Sequence, residues 1–191
     1  IESYFGILPL VFGSLVVTVG AMIVSVPLGV GTAIFLSEVS PKNVREILKP
    51  LIEVLAGLPS VVLGFIGIVV FVPYLRRFLD IPTGLTAFTG ALILGLISIP
   101  TMVSIAEDAL NTVPQGYRQA SLALGATHWQ TIWGVTLPAA RSGVLTAIML
   151  GLGRALGETM AVMMVTGNAP TLPENLNFLF IPVRTMTATI A

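Results

Sequence analysis

Long apolar runs separated by short polar segments set the pattern of this chain. Residues 3–37 carry no charge, and neither do 54–75 or 81–106. A fourth apolar run, 139–166, is uncharged except at Arg141, Arg154 and Glu158. Crossing the hydrocarbon of a bilayer takes about 20 residues of helix, and an apolar segment satisfies its own backbone there as a helix. The pattern therefore predicts spans at about 10–36, 54–75, 86–106 and 139–166. The fold class is an all-α polytopic transmembrane helical bundle, about four spans in a single domain over 1–191.

Proline and glycine punctuate these runs. Pro9 marks the start of the first span and Pro27 a kink within it, while Gly20, Gly29 and Gly31 offer close-packing points. The polar segment 38–53 mixes Glu38, Glu46 and Glu53 with Lys42, Arg45 and Lys49. Ser40-Pro41 reads as a helix start. Lys42, Arg45, Glu46 and Lys49 share one face, which predicts a short surface helix. Gly57-Leu58-Pro59-Ser60 predicts a bend near the start of the second span, and Arg76, Arg77 and Asp80 end that span. In the third, Pro100 lies among Ser98, Thr101 and Ser104. Those hydroxyls either satisfy carbonyls that the proline frees or line a polar path. Residues 167–191 form a proline-containing, mostly uncharged tail.

Composition narrows the function classes. Of 191 residues, 55% are hydrophobic and 9% charged, against about 25% charged in soluble domains; the mean hydropathy is +0.98. This is the composition of an integral membrane protein. Net charge is zero, which gives no argument for nucleic acid. There is no cysteine, hence no disulfide and no thiolate ligand or nucleophile. His128 has no Cys or carboxylate at ligand spacing and reads as an exposed loop residue; no metal or cofactor is expected. Glu107-Asp108 lies at a span end, where a solvated surface role is expected, and no nucleophile–base set is present. The only lysines, Lys42 and Lys49, stand outside any G-x-x-x-x-G-K-[ST] motif, so ATP would have to be used by another subunit. The chain opens at Ile1 without the features of a signal peptide and ends at Ala191 without a polar tail, so a piece of a longer protein is expected. Basic residues weakly orient it: Lys42, Arg45, Lys49, Arg118 and Arg141 against Arg76, Arg77 and Arg184 place loops 37–53 and 107–141 in the cytoplasm.

One mixed island, Arg118–Pro138, interrupts the oily chain. Pro114 suits a helix start. Tyr117, Ala120, Ser121 and Leu124 share a face. Gly125 can end that helix in the left-handed conformation, and Thr127 is an N-cap for a second helix from about His128. The island carries Gln119-Ala120-Ser121, three residues, Gly125, nine residues, then Val135-Thr136-Leu137-Pro138. That spacing resembles the cytoplasmic E-A-A loop of ABC importer permeases, departing at Gln119 for Glu, Ser121 for Ala and Val135 for Ile. The resemblance implies that Gln119, Ala120, Ser121, Gly125, Leu137 and Pro138, in a loop of about 107–138, couple the chain to ATP-binding subunits.

The fourth span carries a charge pair. Arg154 lies 15 residues past Ala139, about 22 Å along a helix, and Glu158 follows one turn later on the same face. An arginine at that depth costs on the order of 3 kcal/mol on insertion scales. The pair either locks helices together or serves a pathway, and both readings stay open on physical grounds. A guanidinium fork suits an oxyanion, and Glu158 would keep it from binding too tightly. Thr159 and Thr166 could add hydroxyl donors. Gly153-Arg154-Ala-Leu-Gly157-Glu158-Thr159-Met160-Ala-Val, with Gly167-Asn168, Glu53–Ser60 and Pro182–Ala191, is similar to phosphate ABC importer permeases of the C type. That family has six spans, so the resemblance implies that the first and last lie outside this stretch. It implies Arg154, Glu158 and Thr159 in the phosphate path, alternating access, and no enzymatic activity in this subunit. It also implies an A-type permease partner, ATP-binding subunits, an extracytoplasmic phosphate-binding protein, surrounding lipid, and a bacterial or archaeal plasma membrane. A permease for sulfate or molybdate, or an ion-coupled transporter or channel, are the alternatives.

Overall fold

The computed structural model describes residues 7–169 and 179–190. Helix α1, Leu8–Ile34, continues into a π-helical turn, Phe35–Val39. Helix α2 covers Lys42–Gly57. Helices α3 (Ser60–Ile66) and α4 (Val72–Leu79) are joined by a π-helical turn at Gly67–Phe71. Helix α5 is Ala87–Asn111 and α6 is Gln115–Ala123. Then α7, His128–Thr131, passes through a π-helical turn, Ile132–Thr136, into α8, Leu137–Ala139. Helices α9 (Arg141–Gly157), α10 (Met160–Val165) and α11 (Met186–Ile190) complete the chain. The fold is all-α, as its hydrophobic pattern predicts.

Among the described residues three helical stretches, Leu8–Val39, Ser60–Leu79 and Ala87–Asn111, are long and apolar enough to cross a membrane. His128–Ala139 and Arg141–Gly157 meet the same standard only together, as a pair bent by 72°. The expected second span does not start at 54, because α2 runs on to Gly57 and the new helix begins at Ser60. Pro59, extended at φ −58°, ψ 130°, lacks the N–H that would continue α2 and restricts Leu58 before it. The expected fourth span, 139–166, is broken between Gly157 and Met160.

The chain forms two compact units. One takes residues up to Ser25, Leu58–Ser98 and residues from Leu152 on. Its core is small and branched: Val17, Ala21, Ala87, Leu94, Ala155, Val162 and Val183 in one cluster, and Ile93, Ile97, Ala161 and Val165 in another. Helix contacts here are close because small residues face each other. A Cβ on Gly64 would lie 2.8 Å from the Ala161 Cα, and one on Gly20 would lie 2.8 Å from the Ala91 Cβ. The tail is tied back through its backbone: the Val183 N–H donates to the Thr166 carbonyl at 2.9 Å, and the Ala87 N–H to that of Ile181 at 3.1 Å. The Ser98 hydroxyl donates to the Leu94 carbonyl at 2.9 Å, so it is spent on its own helix.

The other unit takes Val26–Gly57 and Ile99–Gly151. Its core gathers Ala33, Ile34, Ala106, Leu110, Val113, Ile132, Ala140, Val144 and Ala147. A Cβ on Gly143 would meet the Ala109 Cβ at 2.3 Å, so α5 and α9 pack with almost no side chain between them. By contrast α2 and α6 bury none of their residues.

The close contacts are testable. Gly64→Val forces a side chain against helix backbone, an overpacking that costs about 3 kcal/mol. The melting temperature of the purified protein should fall by roughly 6–12 °C, at about 2–4 °C per kcal/mol for this size. Gly31→Ala, where a Cβ meets nothing within 4 Å, should hold or slightly raise it, since alanine favours the helix by about 1 kcal/mol.

Candidate functional site

The island of 118–138 folds as its residues dictate. Pro114 precedes α6, and Gly125 takes φ +86°, the left-handed region in which a side chain is strained. Thr127 caps α7 in a full capping box: its hydroxyl accepts from the Gln130 N–H at 3.3 Å, and the Gln130 side chain accepts from the Thr127 N–H at 2.8 Å. Gln119, Ala120, Gly125 and Pro138 are exposed, and Ser121 and Leu137 are half-buried. Leu137 packs against the core cluster, and Ser121 shares a hydrogen bond with Thr131 at 3.0 Å. Of the shared face only Ser121 is half-buried, with Arg118 beside it, while Tyr117, Ala120 and Leu124 are exposed. Tyr117, Leu122, Leu124, Trp129 and Trp133 are exposed, an apolar display larger than isolated surface residues need.

Two carboxylates anchor this region. Glu38, in the π-helical turn after α1, faces Arg118: the Arg118 Nη2 donates to Oε1 at 2.6 Å, and Nε reaches both oxygens at 3.2 and 3.3 Å. The same guanidinium donates to the Val113 carbonyl at 2.7 Å and to the Leu110 carbonyl at 2.9 Å. It thereby adds donors to carbonyls at and just beyond the end of α5. His128 is exposed, as expected, but its Nε2 lies 2.9 Å from the Glu38 carbonyl oxygen.

The expectation for Glu107 is corrected. It is not solvated: its side chain is 1% exposed and is paired with Arg45 and, at 2.9 Å, with Lys49. Lys49 also reaches the exposed Asp108 at 3.1 Å. Asn111 donates to Glu107 at 3.0 Å and accepts from the Ser37 hydroxyl at 3.1 Å. The partners of Glu107 on α2 lie 58 and 62 residues back in the chain, which is why a local reading left it at a surface. Hydrogen bonding to Glu107, opposed by burial and joined by Asp108, holds the Lys49 ammonium above its ordinary value.

The charged pair of the fourth apolar run lies within the other unit and takes a different form from the one expected. Arg154 is in the last turn of α9, where a cation suits the helix dipole. Glu158 lies beyond the end of α9, so one-turn spacing on a shared face does not apply. Its carboxylate accepts from the Ala161 N–H at 3.3 Å, and its backbone carbonyl accepts from the Thr187 hydroxyl at 3.1 Å. Thr159 donates to the Gly157 carbonyl at 3.3 Å. Thr166 donates to the Val162 carbonyl at 2.9 Å and is buried, so it is turned to its own helix. Beside Glu158 a cavity of about 10 Å³ is lined in part by Ser14, Thr18, Thr185 and Thr187, room for about one water. The sequence reading did not single out these four hydroxyls, which come from α1 and the tail. Among the described residues no cluster of three or more metal-ligating side chains occurs.

Comparisons with known proteins identify the family. The family model described as "Binding-protein-dependent transport system inner membrane component" matches residues 25–191. The chain is 45% identical over 174 residues to a protein of Bacillus subtilis named as a probable ABC transporter permease, covering 91% of this chain and 56% of that one. It is 38% identical to the phosphate transport system permease protein PstC of Pasteurella multocida, and 36% identical to that of Mesorhizobium japonicum. Both alignments cover 100% of this chain, and 64% and 63% of those proteins. The chain thus spans roughly three fifths of the length of these relatives. Among solved structures, a chain of the MetNI methionine ABC transporter in inward-facing conformations superposes with a TM-score of 0.61 at 21% identity, over 83% of this chain and 70% of that one. That likeness concerns the fold.

Truncating the buried carboxylate should be costly. Glu107→Ala removes the anion of Arg45 and leaves Lys49 only the exposed Asp108; both cations are partly solvated, so the cost is that of the lost charge-assisted hydrogen bonds, about 2 kcal/mol. Thermal melting of the purified protein should register a drop of roughly 4–8 °C. The Lys49 contribution has a defined pH window. Because its folded value is raised, the stabilisation is fully present below the ordinary lysine value of 10.5 and disappears as pH rises through the folded value. The melting difference between wild type and Lys49→Met should therefore stay constant from pH 7 to about 9.5 and shrink above about 10.5.

Proposed function

The chain belongs to the binding-protein-dependent transport system inner membrane components, and from that premise we propose that it is the permease subunit of an ATP-driven importer of inorganic phosphate. The observation that carries the coupling half of this reading is the α6–Gly125–α7 element, which displays Tyr117, Leu122, Leu124, Trp129 and Trp133 outward. An ATP-binding subunit docks there, with Gln119, Ala120, Ser121, Gly125, Leu137 and Pro138 forming and supporting the docking element. ATP hydrolysis belongs to that separate subunit, and this chain catalyses no bond chemistry. A second permease subunit of the A type completes the pathway, and an extracytoplasmic binding protein delivers the anion. The membrane is the plasma membrane of a bacterium or archaeon.

The cargo half rests on the relatives named for phosphate transport and on the broken fourth run. Arg154, Glu158 and Thr159 lie at the ends of two helical pieces, an arrangement that transporters use where polar groups must meet a substrate. Arg154 offers a planar fork of donors to the anion. The acceptor-only carboxylate of Glu158 opposes its retention, so that the site releases as well as binds. The water-sized cavity at Glu158 is too small for a tetrahedral oxyanion, so passage requires these elements to part. That requirement is what alternating access supplies.

The test is ATP-dependent uptake of radiolabelled phosphate into vesicles holding the full-length protein and its co-encoded subunits, with sulfate and molybdate as competitors. Wild type should accumulate phosphate saturably. Arg154→Gln should lower uptake at least tenfold while the complex still assembles. Uptake that survives Arg154→Gln would make Arg154 structural. Accumulation of a competing oxyanion instead of phosphate would keep the permease and overturn the cargo.

A further inference from the structure

Two buried carboxylates, Glu38 and Glu107, have no part in docking or in the anion path. Their side chains are 4% and 1% exposed. Each receives the cations of a helix that buries no residue of its own: Arg118 of α6 reaches Glu38, and Arg45 and Lys49 of α2 reach Glu107. The two anchorages are joined. Asn111 donates to Glu107 at 3.0 Å and accepts at 3.1 Å from Ser37, the residue next to Glu38. An unbroken polar chain therefore runs from α6 through the end of α1 and the end of α5 to α2.

Apolar contacts are non-directional and let surfaces slide, whereas hydrogen-bonded ion pairs fix distance and angle together. Helix α6 turns only Arg118 and Ser121 inward, and α2 has only the half-buried Leu48, Ile52 and Ala56 beside its two cations, so the ion pairs are the firmest hold on either helix. We propose that Arg118–Glu38, Ser37–Asn111 and Glu107 with Arg45 and Lys49 form a linkage that carries displacement of the docking element to α2. These residues are positioning residues for coupling ATP hydrolysis to transport. The linkage rests on the docking reading above and adds to it the route by which motion leaves α6. A plain structural staple would hold the same residues together, but it would not make the movement of α2 depend on the nucleotide.

The experiment uses the complete transporter in proteoliposomes, with two readouts taken from each preparation. The first is the ratio of ATP hydrolysed to phosphate imported. The second is the alkylation rate of a single cysteine introduced by Glu46→Cys on α2, with and without a non-hydrolysed ATP analogue; this stretch of chain has no cysteine of its own. The variants are Asn111→Ala, which cuts the bridge without removing a charge, and Glu38→Gln. Both should assemble with the ATP-binding subunit and keep hydrolysing ATP, with the ATP-to-phosphate ratio raised about tenfold. The nucleotide-dependent change in alkylation, present in the otherwise wild-type background, should be lost. Retention of that change in both variants, or its absence from the wild-type background, would overturn the linkage. A parallel fall of hydrolysis and import with loss of assembly in both variants would reduce it to a staple. An alkylation response in vesicles that import no phosphate would overturn the cargo alone, and failure of any ATP-binding subunit to associate would overturn the docking reading and the linkage with it.

Discussion

The pairing of buried carboxylates with cations from the barely buried helices α2 and α6 is the constraint on which their unit of this protein depends. Charge is scarce here, with nine basic and nine acidic side chains in 191 residues, and a substantial share of it is committed to two anchorages. Replacing a buried ion pair by apolar residues is often no less stable, so stability alone does not explain why charge is kept. An ion pair holds a helix in place while leaving its apolar face free. Helix α2 keeps Ile47, Leu51 and Val54 exposed while Leu48 and Ile52 are half-buried, and α6 keeps Tyr117, Leu122 and Leu124 exposed.

Elsewhere the working material is the small residue. Lipid offers no hydrophobic drive for helices to associate, so close backbone approach does that work. Gly143 against Ala109, Gly64 against Ala161 and Gly20 against Ala91 are its expression. The same economy breaks the fourth apolar run. Gly157 and Glu158 end one helix, and Glu158 accepts the Ala161 N–H of the next. The break leaves polar backbone and a carboxylate among hydroxyls, which irregular chain tolerates where it is enclosed by protein.

Much of this was legible in the residues. Long uncharged runs fix the apolar helices, because lipid permits little else. Local chemistry predicted Pro59 as a break, Gly125 as a left-handed stop and Thr127 as a cap, since each acts on neighbours within a few positions. What escaped was non-local or geometric. Glu107 reads as solvated from its neighbours because nothing nearby in sequence announces Arg45 and Lys49. Which face of α6 points in is not legible from the shared face of Tyr117 and Leu124, because the partner of Arg118 that decides it, Glu38, lies 80 residues away. The end of α9 at Gly157 escaped because glycine within an apolar run is tolerated as often as it breaks a helix. The hydroxyls beside Glu158 come from Ser14 and Thr18 of α1 and from Thr185 and Thr187 of the tail, a gathering no spacing rule describes.

The long separations within the anchorages also give them an order of birth. Arg45 and Lys49 leave the ribosome before Glu107, 62 and 58 residues ahead of it, an interval of roughly 3–12 s at about 5–20 residues per second. When the carboxylate at the end of α5 arrives at the membrane surface, its two counter-charges are already waiting. The other anchorage is made in reverse. Glu38 precedes Arg118 by 80 residues and must wait at the end of α1 until α5 has been completed and α6 follows. The finished carboxylate is buried, but before Arg118 is made its partners are the neighbouring Ser37 hydroxyl, at 3.4 Å in the folded chain, and water. An ionised carboxylate without its counter-charge is costly to take out of water, so an unpaired Glu38 favours keeping the end of α1 in contact with water until Arg118 arrives.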